Sequence, residues 1–223
     1  MDFSGYRPAP HVLDHLKKVD FVAVVGPSAV GKTTLMIKAQ KYDSSIRMIL
    51  TQSSRKLRPG ERDGVDLHVR PKKEMLARIA KHEYVQVPPR LLGDLYATGP
   101  EDYPAEGIGT MAVLADAIPT FRELPFRSFR IIFIVPPSWE RWQAQLKSHS
   151  FDPDRLAKRI VEAKHSFAFA LGLQDITFVI NDDMDRAVQD FIAAAKGNTP
   201  STSAKAEQQR AHDIIQSILV KLQ

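Results

Sequence analysis

An early segment of the sequence has the residue types and the spacing needed to bind phosphate groups. Residues 26–33 read Gly-Pro-Ser-Ala-Val-Gly-Lys-Thr and fit the pattern G-x-x-x-x-G-K-[ST]. Glycines let the backbone curl so that successive N–H groups point at phosphate oxygens. In such a loop the lysine reaches the β- and γ-phosphates of a nucleoside triphosphate, and the next hydroxyl ligates Mg²⁺. The predicted ATP-binding residues of this segment are Gly26, Ser28, Ala29, Val30, Gly31, Lys32, Thr33 and Thr34, with Thr33 as the Mg²⁺ ligand.

A second phosphate site is predicted in the polar segment 53–64. It carries Arg55 and Arg58 and is broken by Pro59, Gly60 and Gly64, which predicts a loop. Guanidinium groups are planar and permanently charged, so they suit the phosphate of an acceptor. Arginines in loops are often only solvated. Arg55 and Arg58, however, follow a phosphate-binding loop and a predicted strand, which favours a role in phosphate binding.

The two sites together predict transfer of a phosphoryl group. A phosphate monoester with a second pKa near 6 is mostly a dianion at neutral pH, so it needs no protein base. Catalysis then rests on positioning and charge neutralisation by Lys32, Mg²⁺ and the arginines during in-line transfer.

The hydrophobic pattern predicts the elements that must position these residues. Residues 21–25 are continuously apolar and β-branched, which is typical of a buried strand. The other predicted strands are 47–51, 84–87, 110–115, 129–135 and 176–180. The predicted helices are 10–20, 32–41, 71–82, 136–146, 155–171, 184–195 and 204–222. Alternating strands and helices indicate an α/β fold with a parallel sheet flanked by helices.

The overall composition limits the classes of function. The 223 residues include no cysteine, which excludes a disulfide framework, a thiolate zinc site and a cysteine nucleophile. The net charge is +5. However, the sequence has no run of like charges, and its aromatic residues are not interleaved with the basic ones, so nucleic-acid binding is not favoured. Apolar runs are too short for a membrane span, and no secretory signal is visible. We therefore expect a cytoplasmic protein, with no nucleic acid or membrane partner, as a monomer or homodimer.

Several ordered motifs resemble the guanylate kinase family. Besides the phosphate-binding loop they are the segments 53–66 (SSRKLRPGERDGVD), 133–138 (FIVPPS) and 179–185 (VINDDMD). The resemblance covers about residues 20–196 and implies a P-loop NTPase-type fold with a small acceptor-binding insertion, about 53–108, and a short lid, about 145–156. Residues 197–203 are predicted to be a linker before a C-terminal helix at 204–223.

The resemblance also implies roles for particular residues. The implied acceptor-binding residues are Thr51, Arg55, Arg58, Gln86, Tyr96 and Asp116, and the implied catalytic residues are Lys32, Arg55, Arg58 and Arg159. Asn181 would lie near the adenine of ATP. Asp116 would hold Mg²⁺ or the acceptor base, although a helix N-cap is an equal alternative for it.

The sequence departs from the family pattern at the acceptor site and at the lid. Gln86 stands where the family has an acidic residue that reads guanine, and an amide offers one acceptor and one donor where a carboxylate offers two acceptors. Leu67 replaces a tyrosine. The lid has Gln145, Lys147 and His149 in place of an arginine pattern.

These observations leave three functions open. The first is an ATP-dependent nucleoside monophosphate kinase with GMP as the acceptor. The second is a kinase that acts on another monophosphate or phosphorylated metabolite, for which Gln86 and Leu67 are the reason. The third is a non-catalytic module that binds phosphoproteins, for which the altered lid is the reason.

Overall fold

The computed structural model describes residues 1–58, 60–88, 93–149, 152–198 and 204–222. The predicted lid at 145–156 therefore lies partly outside the described residues, at 150 and 151. The predicted linker is described only at 197 and 198, and the predicted acceptor-binding insertion lacks 59 and 89–92. The predicted C-terminal helix is described to 222.

The central sheet has five strands, namely β1 (Val19–Val25), β2 (Ile46–Met48), β6 (Gly107–Ala112), β7 (Ser128–Val135) and β8 (Ile176–Ile180). They lie in the order β2-β6-β1-β7-β8, and every neighbouring pair is parallel. A parallel sheet needs both faces covered, which explains the unbroken apolar runs in β1 and β7. The predicted fold class is therefore observed.

Helices cover both faces of this sheet. They are α1 (Pro10–Asp14), α2 (Lys32–Tyr42), α4 (Ile118–Arg122), α5 (Trp139–Ser148), α6 (Pro153–Gly172), α7 (Met184–Ala195) and α8 (Ala204–Lys221). Successive residues of a strand point to opposite faces, so β1 sends Val22 and Val24 to the core under α2 and α7. It sends Phe21, Ala23 and Val25 to the core under α1, α4, α5, α6 and α8. In the described part of the chain, no helix is both long and apolar enough to cross a bilayer.

A smaller unit lies between β2 and β6 in the chain. It comprises α3 (Lys72–Ala80) and a three-stranded sheet, in the order β4-β3-β5, of β3 (Gln52–Ser53), β4 (His68–Val69) and β5 (Tyr96–Ala97). Its own core contains Met75, Ile79, Tyr84, Val87 and Leu95. The unit overlaps the predicted acceptor-binding insertion, about 53–108, except at Gln52.

Some predicted elements are wrong in type or length. Residues 84–87 are not a strand, because among the residues that the structure describes their only ladder contact is a bridge between Gln86 and Thr98. The predicted strand 110–115 ends at Ala112, and Asp116 lies in a 3-10 helix, Ala115–Ala117. The predicted helix 10–20 stops after one turn, continues as a 3-10 helix, His15–Lys18, and gives way to β1 at Val19.

Phe21 provides a test of the larger core. Its fully buried ring stacks on Phe121, Phe126 and Phe129, with ring centroids 5.0, 4.5 and 5.7 Å away. We expect Phe21→Ala to lower the free energy of unfolding by about 3–5 kcal/mol, because it leaves a cavity among rings that cannot close over it. Urea unfolding measures this change. Tyr42→Ala, at a side chain that is largely exposed, should cost less than about 0.5 kcal/mol. Equal losses for both would contradict this account of the core.

Candidate active site

The phosphate-binding loop joins β1 to α2 and is closely packed from both sides. Gly26 has a φ of +144°, and a Cβ there would lie 2.7 Å from the carbonyl oxygen of Ile134 in β7. Gly31 has a φ of +96°, and a Cβ there would lie 2.5 Å from Nδ2 of Asn181. Only glycine fits such positions without strain. Helix α2 begins at Lys32, so its positive N-terminal end points at the loop.

Two distant side chains brace the loop through its carbonyl groups. The indole N–H of Trp142 donates to the carbonyl of Ser28 at 2.9 Å, and Nδ2 of Asn181 donates to the carbonyl of Val30 at 2.8 Å. Trp142 is fully buried. Asn181 also continues the sheet, because its backbone N–H donates to Val135. The sequence predicts Asn181 near adenine, and in the structure its amide contacts the loop backbone at Val30 and Gly31. Sequence reasoning missed Trp142.

Lys32 lies within the loop with its ammonium group partly buried. Its Nζ donates to the carbonyls of Gly26 at 2.7 Å and Pro27 at 2.9 Å. Burial lowers the pKa of Lys32 from its ordinary value of 10.5 to about 8. The Glu162 carboxylate partly opposes this shift, and the Arg159 guanidinium adds to it. The lysine is therefore charged at neutral pH and loses its charge under mildly alkaline conditions.

This pKa predicts how activity depends on pH. We expect kcat/KM for ATP, which reports the free enzyme, to fall about tenfold per pH unit above about pH 8. The unfolded chain keeps the lysine proton up to about pH 10.5. Between these values the unfolded state binds more protons, so this lysine makes stability rise with pH while activity falls. Bound phosphates favour the charged form, so kcat should fall at a higher pH than kcat/KM. A kcat/KM profile that stays flat to about pH 10 would contradict the prediction.

The arginine-rich loop is held in shape by Glu61. Its carboxylate takes two hydrogen bonds from the Arg55 guanidinium, at 2.6 and 2.8 Å, and one from the backbone N–H of Arg58 at 2.8 Å. The hydrogen bond from Arg55 lowers the pKa of Glu61, so the carboxylate stays charged at neutral pH. Nε of Arg55 is buried and has no hydrogen-bond partner. Sequence reasoning assigned the arginines and missed the acid that orients them.

One cavity of about 910 Å³ lies between the phosphate-binding loop, the arginine-rich loop and α6. It brings together most of the predicted site residues, namely Gly26, Ser28, Lys32, Thr33, Thr51, Arg55, Arg58, Tyr96, Asp116 and Arg159. Five predicted ATP-binding residues do not line this cavity, namely Ala29, Val30, Gly31, Thr34 and Asn181. Donor-site and acceptor-site candidates thus face one space, as direct transfer between two phosphates requires.

A second cavity, of about 460 Å³, adjoins the first. Thr51, Tyr96 and Asp116 line both cavities, and Gln86 lines only the second, together with apolar residues such as Met111 and Phe121. The backbone of Gln86 is fixed by hydrogen bonds to Thr98 in both directions, at 3.3 and 3.0 Å. A mostly apolar recess with a few polar groups suits a planar base.

Asp116 lies at the shared wall of the two cavities. Its carboxylate is 77% exposed and lies 3.3 Å from Nδ1 of His165. The predicted strand 110–115 would place Asp116 directly after a strand, but β6 ends at Ala112. Asp116 does not cap a helix either, because Ala117 occupies the N-cap of α4 and no side chain bonds there. Both structural expectations for Asp116 are therefore wrong, although its place at the cavity is as predicted.

Helix α6 supplies cavity residues that sequence reasoning missed. Lys158, Glu162, His165 and Ser166 line the larger cavity beside Arg159. Glu162 binds the Arg159 guanidinium at 2.6 Å, which fixes the arginine toward the cavity. Residues three and four apart share one face of a helix. Glu162 lies three residues after Arg159 and Ser166 four residues after Glu162, and this spacing was the signal that could have found these two.

Comparison with known proteins decides the family. A family model described as guanylate kinase matches residues 18–195 of the chain. The chain belongs to the guanylate kinase family. A family member from Symbiobacterium thermophilum, named guanylate kinase, is 30% identical over 194 residues, which cover 82% of this chain and 89% of that protein. Another, from Thiobacillus denitrificans, is 29% identical over 177 residues, covering 78% and 83%.

A solved structure of the family supports the fold. The crystal structure of guanylate kinase from Anaplasma phagocytophilum has a TM-score of 0.58 and 19% identity, and the match covers 83% of this chain and 88% of that one. At this identity the likeness bears on the fold alone. The predicted family, the P-loop NTPase-type fold and the phosphotransferase class are confirmed. Helix α8 lies outside the matched range.

Proposed function

We propose that this chain transfers the γ-phosphoryl group of ATP to GMP and yields ADP and GDP. The observation that carries the proposal is the single cavity that Lys32 of the phosphate-binding loop shares with Arg55 and Arg58. Several relatives named guanylate kinase, all similar over most of their length, support the same acceptor.

The reaction needs charge neutralisation rather than a protein base. An oxygen of the GMP phosphate attacks the γ-phosphorus, and the bond from that phosphorus to the bridging oxygen of ADP breaks. Arg55 and Arg58 hold the acceptor phosphate, with Tyr96 beside them, and Thr51 and Gln86 contact the base. Lys32 and Arg159 stabilise negative charge on the transferred group, and Asn181 keeps the loop in place. From its place against the loop backbone, Asn181 would also contact the adenine of ATP.

The residues present fit a Mg²⁺ ion that is bound mainly through the nucleotide. Thr33 is exposed and lines the cavity, and Asp116 also lines it. The described residues hold no cluster of three or more acidic, histidine or cysteine side chains that could cage a metal. Mg²⁺ typically binds through few protein ligands together with phosphates and water. When bound, the ion neutralises phosphate charge.

The acceptor is the part of this proposal that a direct assay tests first. ADP release with Mg-ATP is followed against GMP, dGMP, AMP, CMP, UMP and no acceptor. We expect turnover on GMP above all others. Turnover on another monophosphate, without turnover on GMP, would identify that compound as the acceptor instead of GMP. Bound ATP without any turnover would overturn the proposal and favour a module that binds phosphoproteins.

Gln86 is the observation that keeps a different acceptor open, and a variant tests it. In Gln86→Glu a carboxylate can accept from both N1–H and the 2-amino group of guanine. If GMP is the acceptor, kcat/KM for GMP should rise about tenfold, since one charged hydrogen bond adds about 1.5 kcal/mol. IMP lacks the 2-amino group and is the matched control. A fall for GMP would indicate that the amide reads another base.

A further inference from the structure

Helix α8 contacts the turn that follows β8, next to the phosphate-binding loop. Nη2 of Arg210 donates to Oδ2 of Asp182 at 2.8 Å. Asp182 is the middle residue of the turn 181–183 and is 21% exposed at its side chain. The contact joins a helix outside the matched family range to a turn inside it.

This turn is connected directly to the phosphate-binding loop. Asn181, adjacent to Asp182, donates its side-chain amide to the carbonyl of Val30 at 2.8 Å. The same amide fills the space beside Gly31. A displacement of the turn would therefore move a hydrogen bond that fixes the backbone whose N–H groups face phosphate.

Arg210 differs from the other arginine bound to Asp182. Arg186 also donates to Asp182, at 2.6 Å, but it belongs to α7, which begins at this turn with Asp183 as its N-cap. Arg186 therefore moves with the turn. Arg210 belongs to a separate helix, so among the described contacts of Asp182 it is the one that ties the turn to another element.

Helix α8 is itself a fixed support. Ala211, Ile215 and Ile218 are fully buried against the core. Gln208 accepts from the N–H of Phe178 at 2.8 Å and donates to its carbonyl at 3.2 Å, which pins the helix to β8. Arg210 directly precedes the buried Ala211, so it belongs to a part of the helix that is fixed against the core.

We infer that Arg210 is a positioning residue for the nucleotide: it holds Asp182, and through it Asn181, so that the phosphate-binding loop keeps the shape that accepts ATP. The inference rests on the proposed function only for the identity of ATP as the donor. Arg210 does not contact the substrate. Its removal should weaken ATP binding and leave the chemical step nearly unchanged.

The electrostatics of Asp182 support a contact that persists at neutral pH. Burial raises the pKa of this carboxyl, but hydrogen bonds from Arg210 and Arg186 outweigh burial and hold the pKa below its ordinary value. Arg210 is 44% exposed and has a second, longer contact of 3.4 Å with Glu207. A partly exposed ion pair has a modest effect, so we expect about a three- to fivefold change in affinity.

The test measures the dissociation constant of Mg-ATP by calorimetry on the full chain. Arg210→Met should raise this constant about three- to fivefold, with kcat at saturating ATP within about twofold of the unchanged protein. Arg210→Lys keeps the positive charge but loses the planar guanidinium group. Its dissociation constant should therefore lie between those of the unchanged protein and Arg210→Met. Lys221→Met is the matched control, because Lys221 is also on α8 and binds Glu140 at 2.6 Å, away from the turn.

The outcomes distinguish a role of Arg210 in positioning the phosphate-binding loop from a role in the stability of the fold alone. The inference would be overturned if Arg210→Met changed the dissociation constant of Mg-ATP no more than Lys221→Met does. It would also be overturned if Arg210→Met lowered only the thermal stability. If Arg210→Met does not fold, an unchanged affinity in Arg210→Lys would overturn it. ATP binding is measured without an acceptor, so failure to phosphorylate GMP would contradict the proposed function and leave this inference to be judged separately.

Discussion

Replacing Lys32 with methionine should lower kcat about 10²–10³-fold, the largest effect expected for any single side chain in this protein. The methionine side chain is similar in length to that of lysine but cannot carry a charge. The ammonium group of Lys32 donates to the carbonyls of Gly26 and Pro27, and the residue lines the larger cavity. Charge that develops on the transferred phosphoryl group would lose its closest fixed cation. Single-turnover assays with ATP and GMP measure the effect on the chemical step.

Lys38 provides the matched control for this substitution. It lies on the same helix, α2, and its ammonium group is 3.9 Å from Asp185, outside the residues that line the cavity. Lys38→Met should leave kcat within about twofold of the unchanged protein. A comparable loss in both variants, or retained turnover in Lys32→Met, would refute the role assigned to Lys32.

Replacing Arg55 with glutamine should lower kcat/KM for GMP about 10²-fold and leave the dissociation constant of Mg-ATP unchanged. Arg55 is held by two hydrogen bonds to Glu61 and lines the cavity with Arg58. Its fork has the geometry that a phosphate accepts, and a neutral amide supplies neither the charge nor the fork. An effect on GMP without an effect on ATP is the informative result, because Arg55 belongs to the arginine-rich loop and not to the phosphate-binding loop.

Arg122 is the control for loss of an arginine–carboxylate pair as such. It binds Asp175 at 2.6 Å and lines neither cavity. Arg122→Gln should leave kcat/KM for GMP within about twofold of the unchanged protein. If Arg55→Gln impaired ATP binding and kcat/KM for GMP to the same degree, the prediction would be contradicted. The arginine-rich loop would then maintain the shape of the whole site rather than bind the acceptor.

The sequence predicted best the features that local chemistry determines. The phosphate-binding loop follows from glycines at fixed offsets, and β8 and α7 match their predicted ranges because apolar runs and the Asp183 cap mark them clearly. The arginine-rich loop was predicted from residue type and turn residues. Each of these signals lies within about ten residues of chain, which is the range over which backbone preferences act.

The sequence could not predict contacts between distant segments. Trp142 hydrogen-bonds to Ser28 across 114 positions, and no local pattern identifies an indole that braces a loop. Gln86 lies in a short apolar run that has strand propensity, yet it makes only a single bridge, because pairing partners decide whether a strand forms. Asp116 was misplaced because β6 ends at Ala112, where its pairing with Val24 of β1 runs out.

Helix α8 has a consequence for the chain as it is being synthesised. Strand β8 is an outer strand of the sheet, and Gln208 occupies the backbone groups of Phe178 on its open side. Until α8 has been made, that side carries unpaired N–H and C=O groups beside a bare apolar face. Such an edge is a template for pairing with another chain. A version of the protein cut after residue 198 should therefore self-associate and accumulate in inclusion bodies, whatever remains of its catalytic residues.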